Sequence, residues 1–332
     1  MDQRLRREGA GMTATIGVDL GGSHVLAAFV DEGGEILARS SRDIVDRNFE
    51  AVVTTVEETV KEVLERHPEA RAIGLGSPGN IDLATGTIRY SPNFGWTNVP
   101  LGDALRKRFR IPVHVGNDAR CATLGEYTFG CGKGTGHFVL LTLGTGIGGG
   151  IVAAGTLVLG LNGGAGEIGH HQIRPVDGFI CGCGKIGCFE AQASGTGLLR
   201  HAISVAPSFP RSTLLEPKKP GKPLGSKQIR KAAEAGDLHG LAAWSRYLDD
   251  LARGLANVIA FLSPEVIALG GGVSSAGDFM LRALEPKVEA LTTMAPRGGT
   301  KLAIAMLGND AGAIGAATMA RRGGLIAVPA PR

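Results

Sequence analysis

A strand, a glycine-rich turn and a second strand occur twice in this sequence, far apart. In the first copy, apolar residues 15–20 and 25–30 flank a Gly-Gly-Ser turn, and in the second, 138–143 and 147–153 flank Gly-Thr-Gly. Such turns expose backbone N–H groups and a hydroxyl, which suits a phosphate. One turn is weak evidence, but two in the same context predict a chain of two related halves. The candidate phosphate ligands are Gly21, Gly22, Ser23, Gly144, Thr145 and Gly146.

The other periodic segments alternate between strands and helices. A third strand follows the turn at 31–34, so the chain is predicted to open with three antiparallel strands. Apolar residues recur at helical spacing from 49 to 67, Pro68 ends that pattern, and a buried strand follows at 71–76. Later segments predict a helix at 249–262, a strand at 266–269 and a small-residue helix within 308–320. A helix that follows a strand is typical of a parallel sheet, so the sequence predicts an α/β fold.

A strand at 111–117 leads into Asn117 and Asp118 at the start of the next helix. Open α/β sheets bind ligands at the carboxyl ends of their parallel strands, so both residues are candidates for a site. A helix N-cap is the commoner reason for an aspartate at this position and is the competing interpretation of Asp118.

Length and composition limit the class of protein. A chain of 332 residues suggests two domains, and its 43% hydrophobic and 20% charged residues are typical of a globular protein. Its 52 glycines occur in clusters, which indicates backbone that approaches a ligand. The net charge of +4 comes without a basic stripe interleaved with aromatics, which argues against a nucleic-acid partner. No apolar run reaches a membrane span and no secretory signal is recognisable, so we expect a cytoplasmic protein without a membrane partner.

Two segments are expected to lie outside the packed domains. Residues 1–12 are predicted to form a disordered tail, with Met12 as an alternative start. Residues 206–227 are rich in proline and lysine without a period, which predicts a mobile surface loop.

Three of the five cysteines, Cys181, Cys183 and Cys188, stand in a C-x-C-x4-C run, with His170 upstream. Three thiolates and one imidazole select zinc, and a closed set of four ligands leaves no position for water, so the ion would be structural. A disulfide and buried inert thiols are the competing interpretations. The odd number of cysteines in an intracellular chain argues against the first, and their clustering in a glycine-rich loop argues against the second. We call residues 170–188 the zinc loop.

Two acids flank this cluster, Glu167 before His170 and Glu190 after Cys188. A metal that fixes the zinc loop would hold both carboxylates beside it and allow them to form a site. The alternative is that both are helix-start acids favoured by the helix dipole, and spacing alone does not separate the two interpretations.

These motifs occur in the order found in the ROK family, named for repressors, open reading frames and kinases, and the resemblance covers nearly all of residues 13–322. The motifs that carry it are D-L-G-G-S at 19–23, P-G-N-I-D at 78–82, P-N-F-G-W at 92–96, N-D-A-R at 117–120, L-G-T-G-I-G-G-G at 143–150, G-E-I-G-H at 166–170 and C-G-C-G-K-I-G-C-F-E at 181–190. Within that family the chain most resembles the bacterial glucokinases.

The resemblance implies a duplicated actin-like, hexokinase-like fold of the ribonuclease H-like type, with two α/β domains around a cleft. The small domain would comprise residues 13–117 with about 312–325. The large domain would comprise residues 118–311 and carry the zinc loop.

The resemblance also implies an enzyme that transfers a phosphoryl group from ATP to the 6-hydroxyl of glucose. Asp118 matches the general base of the family. The residues that match its sugar ligands are Asn93, Asn117, Glu167, His170 and Glu190. His170 would then serve both zinc and sugar, through different ring nitrogens.

The implied cofactors are ATP and Mg²⁺, besides structural Zn²⁺. Asp19 matches a residue that faces Mg²⁺ through water, and both glycine turns would hold the phosphates. Residues matched to the adenosine pocket are Gly270, Gly271 and Gly272, with the region of Gly312. Close packing is the alternative explanation for these glycines.

The chain departs from the family pattern at Ser23 and His24, where Thr and then Lys or Asn are usual, and in the loop at 206–227. These departures leave the phosphoryl donor open between ATP and polyphosphate. A fructokinase or an N-acetylmannosamine kinase would have the same fold, so both are alternatives to a glucokinase. The resemblance also implies a homodimer, the usual oligomeric state in the family. A repressor is disfavoured because only about fourteen residues precede the first strand, too few for a helix-turn-helix. A sugar sensor without catalysis is disfavoured by Asp118 and both glycine turns.

Overall fold

The computed structural model describes residues 14–216, 224–296 and 298–325. The predicted tail at 1–12 and the centre of the predicted loop at 206–227 lie outside these residues. The described chain forms two compact units. Unit 1 contains residues 14–130, 159–165 and 309–325, and unit 2 contains 131–158 and the described part of 166–308.

The helices and strands of the described residues, in chain order, are β1 (Thr15–Leu20), β2 (His24–Val30), β3 (Ile36–Asp43), α1 (Phe49–Arg66), β4 (Ile73–Ser77), β5 (Asn80–Asp82), β6 (Thr87–Ser91), β7 (Trp96–Val99), α2 (Leu101–Arg106), β8 (Val113–Asn117), α3 (Asp118–Phe129), β9 (Phe138–Leu143), β10 (Ile147–Ala153), β11 (Thr156–Leu157), α4 (Phe189–Ala193), α5 (Gly195–Val205), α6 (Ser226–Glu234), α7 (Leu238–Leu262), β12 (Val266–Gly270), α8 (Asp278–Leu291), β13 (Lys301–Ile304) and α9 (Ala311–Arg321).

Unit 1 is built on a sheet of order β3-β2-β1-β4-β8. The predicted antiparallel arrangement of its first three strands is confirmed, and β4 and β8 add to β1 in parallel. Helix α1 buries a stripe of valines against this sheet, and the Asn48 side chain caps its start by accepting a hydrogen bond from Glu50 N (3.1 Å). A cap followed by apolar residues at helical spacing is the pattern from which this helix was predicted.

Unit 2 repeats this architecture with a sheet of order β11-β10-β9-β12-β13. Strands β9, β10 and β11 are antiparallel neighbours, and β12 and β13 add to β9 in parallel. The correspondence is strand for strand with unit 1, as a chain of two related halves requires. Its main helix, α7, is longer than the predicted 249–262 because Asp237 caps an earlier start by accepting from Gly240 N (2.7 Å).

Helix α9 belongs to unit 1, although it lies near the end of the sequence. Its small residues let it pack on the sheet backbone to backbone, since a Cβ at Gly17 would overlap Ala313 O and one at Gly74 would overlap Ala316 O. Helix α3 packs on α9 in the same way, because a Cβ at Gly315 would overlap Cys121 O. Unit 1 therefore continues to Gly130, whereas the sequence placed the end of the small domain at residue 117.

Strands β5, β6 and β7 form a separate three-stranded sheet in unit 1 that was not predicted. The aromatic segment at 91–96 is the turn between β6 and β7 together with the strand residues at its two ends. Phe94 and Trp96 are buried and stack on each other at 4.3 Å, and Trp96 Nε1 donates to Arg47 O (3.1 Å). This packing fixes the turn that carries Asn93.

Candidate functional site

Asn117 and Asp118 lie where β8 ends and α3 begins, and Asn117 is the residue that caps the helix. Asn117 is the N-cap of α3, because its Oδ1 accepts a hydrogen bond from Arg120 N (3.2 Å) while its Nδ2 donates to Gly79 O (3.1 Å). Asp118 is the first helical residue, and its Oδ1 accepts from Ala119 N (2.8 Å). The interpretation of Asp118 as an N-cap is therefore wrong. Its carboxylate lies at the N-terminal end of a helix of 12 residues.

Asp19 lies in the same unit, at the end of β1 where the first glycine turn begins. Burial, and secondly the negative charge of Asp118, raise the pKa of its carboxyl to about 7. The helix that returns to unit 1 confines Asp19, since a Cβ at Gly312 would lie 2.7 Å from Asp19 Cγ. Close packing therefore accounts for Gly312. Two carboxylates near enough to influence each other's ionisation are a donor set that fits a hard divalent cation.

The first glycine turn is closed by its own backbone. Gly21 N donates to His24 O (2.9 Å), and Ser23 O accepts from Ile44 N (2.8 Å). A Cβ at Gly22 would lie 3.5 Å from Asn93 Nδ2, so the side chain of Asn93 borders the turn. Unit 1 thus gathers most of the candidates from the first half of the sequence: Asp19, Gly21, Gly22, Ser23, Asn93, Asn117 and Asp118.

The second glycine turn, in unit 2, has other neighbours. Gly144 N donates to Gly146 O (3.0 Å), Gly195 N donates to Gly144 O (2.7 Å), and Thr196 Oγ1 donates to Thr145 O (2.8 Å). The start of α5 is thereby joined to the turn, a contact that the sequence analysis missed. The run of small and hydroxyl residues at 194–197 was the signal available for it.

The four predicted zinc ligands lie together. One donor atom from each of His170, Cys181, Cys183 and Cys188 lies within 4.8 Å of the others. The Cys183 and Cys188 sulfurs are 3.6 Å apart, and Cys181 Sγ is 3.7 Å from His170 Nδ1. The edges of a tetrahedron with zinc–sulfur and zinc–nitrogen bond lengths are about 3.6–3.8 Å, so the donor set fits zinc.

The competing interpretations of the cysteines do not match these contacts. All five cysteines are free, so none forms a disulfide, and Cys183 is exposed, so the cluster is not a set of buried inert thiols. Burial raises the pKa of the Cys181 thiol to about 12. A sulfur of this kind keeps its proton unless a cation takes its place.

Glu190 connects the zinc loop to the second glycine turn. Its Oε2 accepts a hydrogen bond from Ile147 N (2.9 Å), and its Oε1 lies 3.7 Å from Cys181 Sγ. Gly169 makes this approach possible, because a Cβ there would overlap Ile147 O and lie 3.3 Å from Glu190 Cβ. The sequence did not indicate this connection, since nothing in the spacing relates residue 147 to residue 190.

Both flanking acids do stand at helix starts, as the alternative interpretation held. Glu190 is in the first turn of α4, and Glu167 immediately precedes a short 3-10 helix at Ile168–His170. Glu190 therefore lies both at a helix start and beside the cysteines, so the two interpretations do not exclude each other for this residue.

Two of the predicted adenosine residues differ in their surroundings. Gly271 has a positive φ of 85°, and a Cβ there would lie 2.7 Å from the Leu143 backbone, so this glycine packs closely on β9. A Cβ at Gly272 would meet nothing within 4 Å. Gly272 thus has open space beside it. The preceding residue, Gly271, lies against the end of β9, the strand that leads into the second glycine turn.

Among the residues that the structure describes, no helix is both long and apolar enough to cross a membrane.

Comparison with known proteins relates nearly the whole chain to one family. The sequence profile of the ROK family matches residues 15–323. A glucokinase of Halalkalibacterium halodurans is 40% identical over 306 residues, covering 90% of this chain and 92% of the relative. A glucokinase of Thermotoga maritima is 40% identical over 306 residues, covering 92% of this chain and 96% of the relative. The crystal structure of a ROK family glucokinase from Streptomyces griseus in complex with glucose and AMPPNP superposes with a TM-score of 0.82 at 35% identity, covering 93% of this chain and 99% of that one. The chain belongs to the ROK family.

Proposed function

We propose that this protein is an ATP-dependent glucokinase, which transfers the γ-phosphoryl group of ATP to the 6-hydroxyl of glucose. The observation that carries the proposal is the position of Asp118: it follows β8 at the start of α3, and its charge acts on Asp19 at the end of β1, beside the first glycine turn. The identity of 40% to two glucokinases over nine-tenths of the chain supports glucose as the acceptor and ATP as the donor.

In the proposed reaction, Asp118 accepts the proton of the 6-hydroxyl as that oxygen attacks the γ-phosphorus. The new O–P bond forms as the bond from the γ-phosphorus to the β-γ bridging oxygen breaks, and ADP leaves. Phosphoryl transfer depends on positioning and charge neutralisation more than on covalent chemistry. Asp118 therefore acts through its distance from the hydroxyl more than through its pKa.

Sugar recognition is proposed for Asn93, Asn117, Glu167, His170 and Glu190. Carboxylates are strong, directional acceptors for hydroxyl groups, and a site built to bind hydroxyls rejects sugars that lack them. The hydrogen bond from Ile147 N to one Glu190 oxygen supports this role, because it fixes the direction of the carboxylate.

Nucleotide binding is proposed for the two glycine turns and for Gly270, Gly271 and Gly272. The backbone N–H groups of the turns suit phosphate oxygens. Asp19 is proposed to hold Mg²⁺ through water, and the ion, when bound, neutralises charge on the β and γ phosphates. The high pKa of Asp19 supports this role, since a carboxyl that ionises reluctantly when alone gains most from a cation.

Zinc is proposed at His170, Cys181, Cys183 and Cys188. When bound, it fixes the fold of the zinc loop and the ring orientation of His170. His170 Nδ1 faces Cys181, which supports zinc on that nitrogen and leaves Nε2 for the sugar.

A sugar panel tests the proposal. ADP release is measured with Mg-ATP and with polyphosphate as donors, and with glucose, fructose and N-acetylmannosamine as acceptors. We expect the highest kcat/KM for glucose with ATP. A higher kcat/KM for another hexose, or for polyphosphate, would replace that part of the proposal. No ADP release with any sugar would overturn it.

A further inference from the structure

Asp250, in the middle of α7, is a fully buried carboxylate that no sequence motif indicated. Its Oδ1 accepts hydrogen bonds from Arg174 Nε (2.7 Å) and Arg253 Nη1 (2.7 Å), and His201 Nε2 lies 3.3 Å from its Oδ2. Burial alone would raise the pKa of Asp250, but the contacts with His201 and Arg174 hold it below its ordinary value. The carboxylate is therefore ionised, with partners on the zinc loop, on α5 and on its own helix.

Arg174 connects this carboxylate to two parts of the zinc loop, around Gly178 and Gly187. Its backbone N donates to Gly187 O (3.2 Å), and its O accepts from Gly178 N (3.2 Å). A Cβ at Gly187 would overlap Arg174 O, so the two backbones are in direct contact one residue before Cys188. The side chain of Arg174 also pairs with Asp177 (2.7 Å). A shift of Arg174 would therefore move the segment that carries three of the four proposed zinc ligands.

His201 connects the same carboxylate to the helix that carries Glu190. Its Nε2 also lies at hydrogen-bond distance from Gln192 O (3.1 Å), on α4, so its contact with Asp250 Oδ2 at 3.3 Å is a second, longer one. Gln192 Nε2 donates in turn to Phe179 O (3.4 Å), and the His201 ring packs against the Phe179 ring at 5.1 Å. Asp250 thus supports α4 and the zinc loop together, from the side of α7.

We propose that Asp250 is a positioning residue: through Arg174 and His201 it fixes the zinc loop and α4, and so sets how tightly zinc is retained and how well Glu190 and His170 bind sugar. The sugar part rests on the proposed function. Asp250 touches neither ligand in this scheme. Residues that hold metal ligands in position without contacting the metal change metal affinity or activity about 10–100-fold when they are removed. We expect an effect of this size for Asp250.

The test compares Asp250→Asn with Asp249→Asn. Asp249 is the preceding residue, and its pair with Lys287 (2.6 Å) is partly exposed, so the same chemical change there should have little effect. Two properties are measured on the zinc-loaded protein: the rate of zinc release to a chromogenic chelator, and KM for glucose separately from KM for ATP and kcat. For Asp250→Asn we expect zinc release and glucose KM to rise about tenfold, with ATP KM within twofold of wild type. Asp249→Asn should match wild type in every measurement.

Arg174 variants keep the inference testable if Asp250→Asn does not fold. Arg174→Met should raise zinc release and glucose KM in the same way, and Arg174→Lys, which keeps the charge, should restore part of the loss. Unchanged zinc release and glucose KM in these variants would overturn the proposal, as would an equal change in ATP KM and glucose KM. Zinc release needs no substrate, so it decides the anchoring role even if the wild-type protein proves not to phosphorylate glucose.

Discussion

The two glycine turns lie on matching strands of the two units but have different neighbours. The turn of unit 1 lies between β1 and β2, and beside it are Asn93 and Asp19, which in turn contacts the backbone of Gly312. The turn of unit 2 lies between β9 and β10, and beside it are Glu190 and the start of α5. The same strand frame therefore places Asp19 and Asn93 beside one turn, and Glu190, which adjoins the proposed zinc loop, beside the other.

This difference indicates how a duplicated frame becomes specialised. The strands set where each turn lies, and the segments inserted between the strands decide its chemistry. In unit 1, α3 follows β8 and contributes Asp118, whereas in unit 2 the zinc loop lies between β10 and α4 and leads to Glu190. The proposed general base and the proposed metal-held sugar ligands thus come from different halves of the chain.

The largest effect is expected at the carboxylate of unit 1. Asp118→Asn should lower kcat by about 10³-fold, because the amide cannot accept the proton of the hydroxyl. Glucose affinity, measured by calorimetry, should stay within a few-fold of wild type. ADP release at a near-normal rate would show that this acid is not the base.

Removal of zinc tests the contribution of unit 2. We expect the zinc-free protein to bind glucose about 10–100-fold more weakly, because the ring of His170 and the loop leading to Glu190 lose their anchor. The temperature of unfolding should also fall, since binding free energy at a structural zinc site contributes to folding. Calorimetry with glucose and with ATP separates the two ligands.

In that experiment, ATP affinity serves as the internal control and should change little. Glucose affinity that stays the same after zinc removal would separate the zinc loop from sugar binding.

A matched pair of glycine substitutions compares the two turns directly. A Cβ in Gly146→Ala would overlap Glu190 Oε2, whereas in Gly22→Ala the nearest atom, Asn93 Nδ2, is at an ordinary contact distance of 3.5 Å. Because Glu190 Oε2 ends a flexible side chain, the carboxylate should move aside with little loss of stability. We expect glucose KM to rise about tenfold in Gly146→Ala, since small displacements of positioning groups have large effects on rate and binding.

Gly22→Ala should leave glucose KM within about twofold of wild type, by the same reasoning. Equal glucose KM values for the two variants would mean that Glu190 does not need its present position. Steady-state kinetics with saturating ATP measures both.

The smallest effect is a pH dependence of stability in unit 1. The pKa of Asp19 is raised to about 7 in the folded protein, so the folded state holds this proton at pH values where the unfolded state has released it. Stability from this group is therefore complete in acid and falls as the pH rises toward 7. Asp19→Asn removes the carboxyl whose ionisation costs stability at high pH. We expect it to raise the free energy of unfolding at pH 8 by about 1 kcal/mol, less than the full pKa shift would give, because Asp19 is partly exposed. Urea unfolding of both proteins without nucleotide at pH 5 and pH 8 measures the difference, and an equal difference at the two pH values would contradict it.

Features with a strong local signal were predictable from the sequence. The valine stripe of α1 with its cap, and the two glycine turns between apolar runs, each follow from rules that act over a few residues. The C-x-C-x4-C run likewise grouped His170 with three cysteines, and their donor atoms lie within 4.8 Å of one another. In each case local spacing carries the information.

Features that depend on packing between distant segments were not predictable. Nothing in the local sequence indicates that Gly312 lies over Asp19, or that α3 belongs with α9. Strands β5 and β7 are too short to show a reliable alternation of apolar and polar residues. Asp250 directly follows Asp249 in α7, and the sequence does not show which of the two acids faces the interior.

The packing of α9 has a consequence for synthesis of the protein. Strands β1, β4 and β8 leave the ribosome long before residues 311–321, which cover their glycines. The described part of unit 2 ends at residue 308, and unit 1 is complete only when its last helix, α9, has been made. The unit whose strands are synthesised first therefore depends on the last helix of the described chain for its packing.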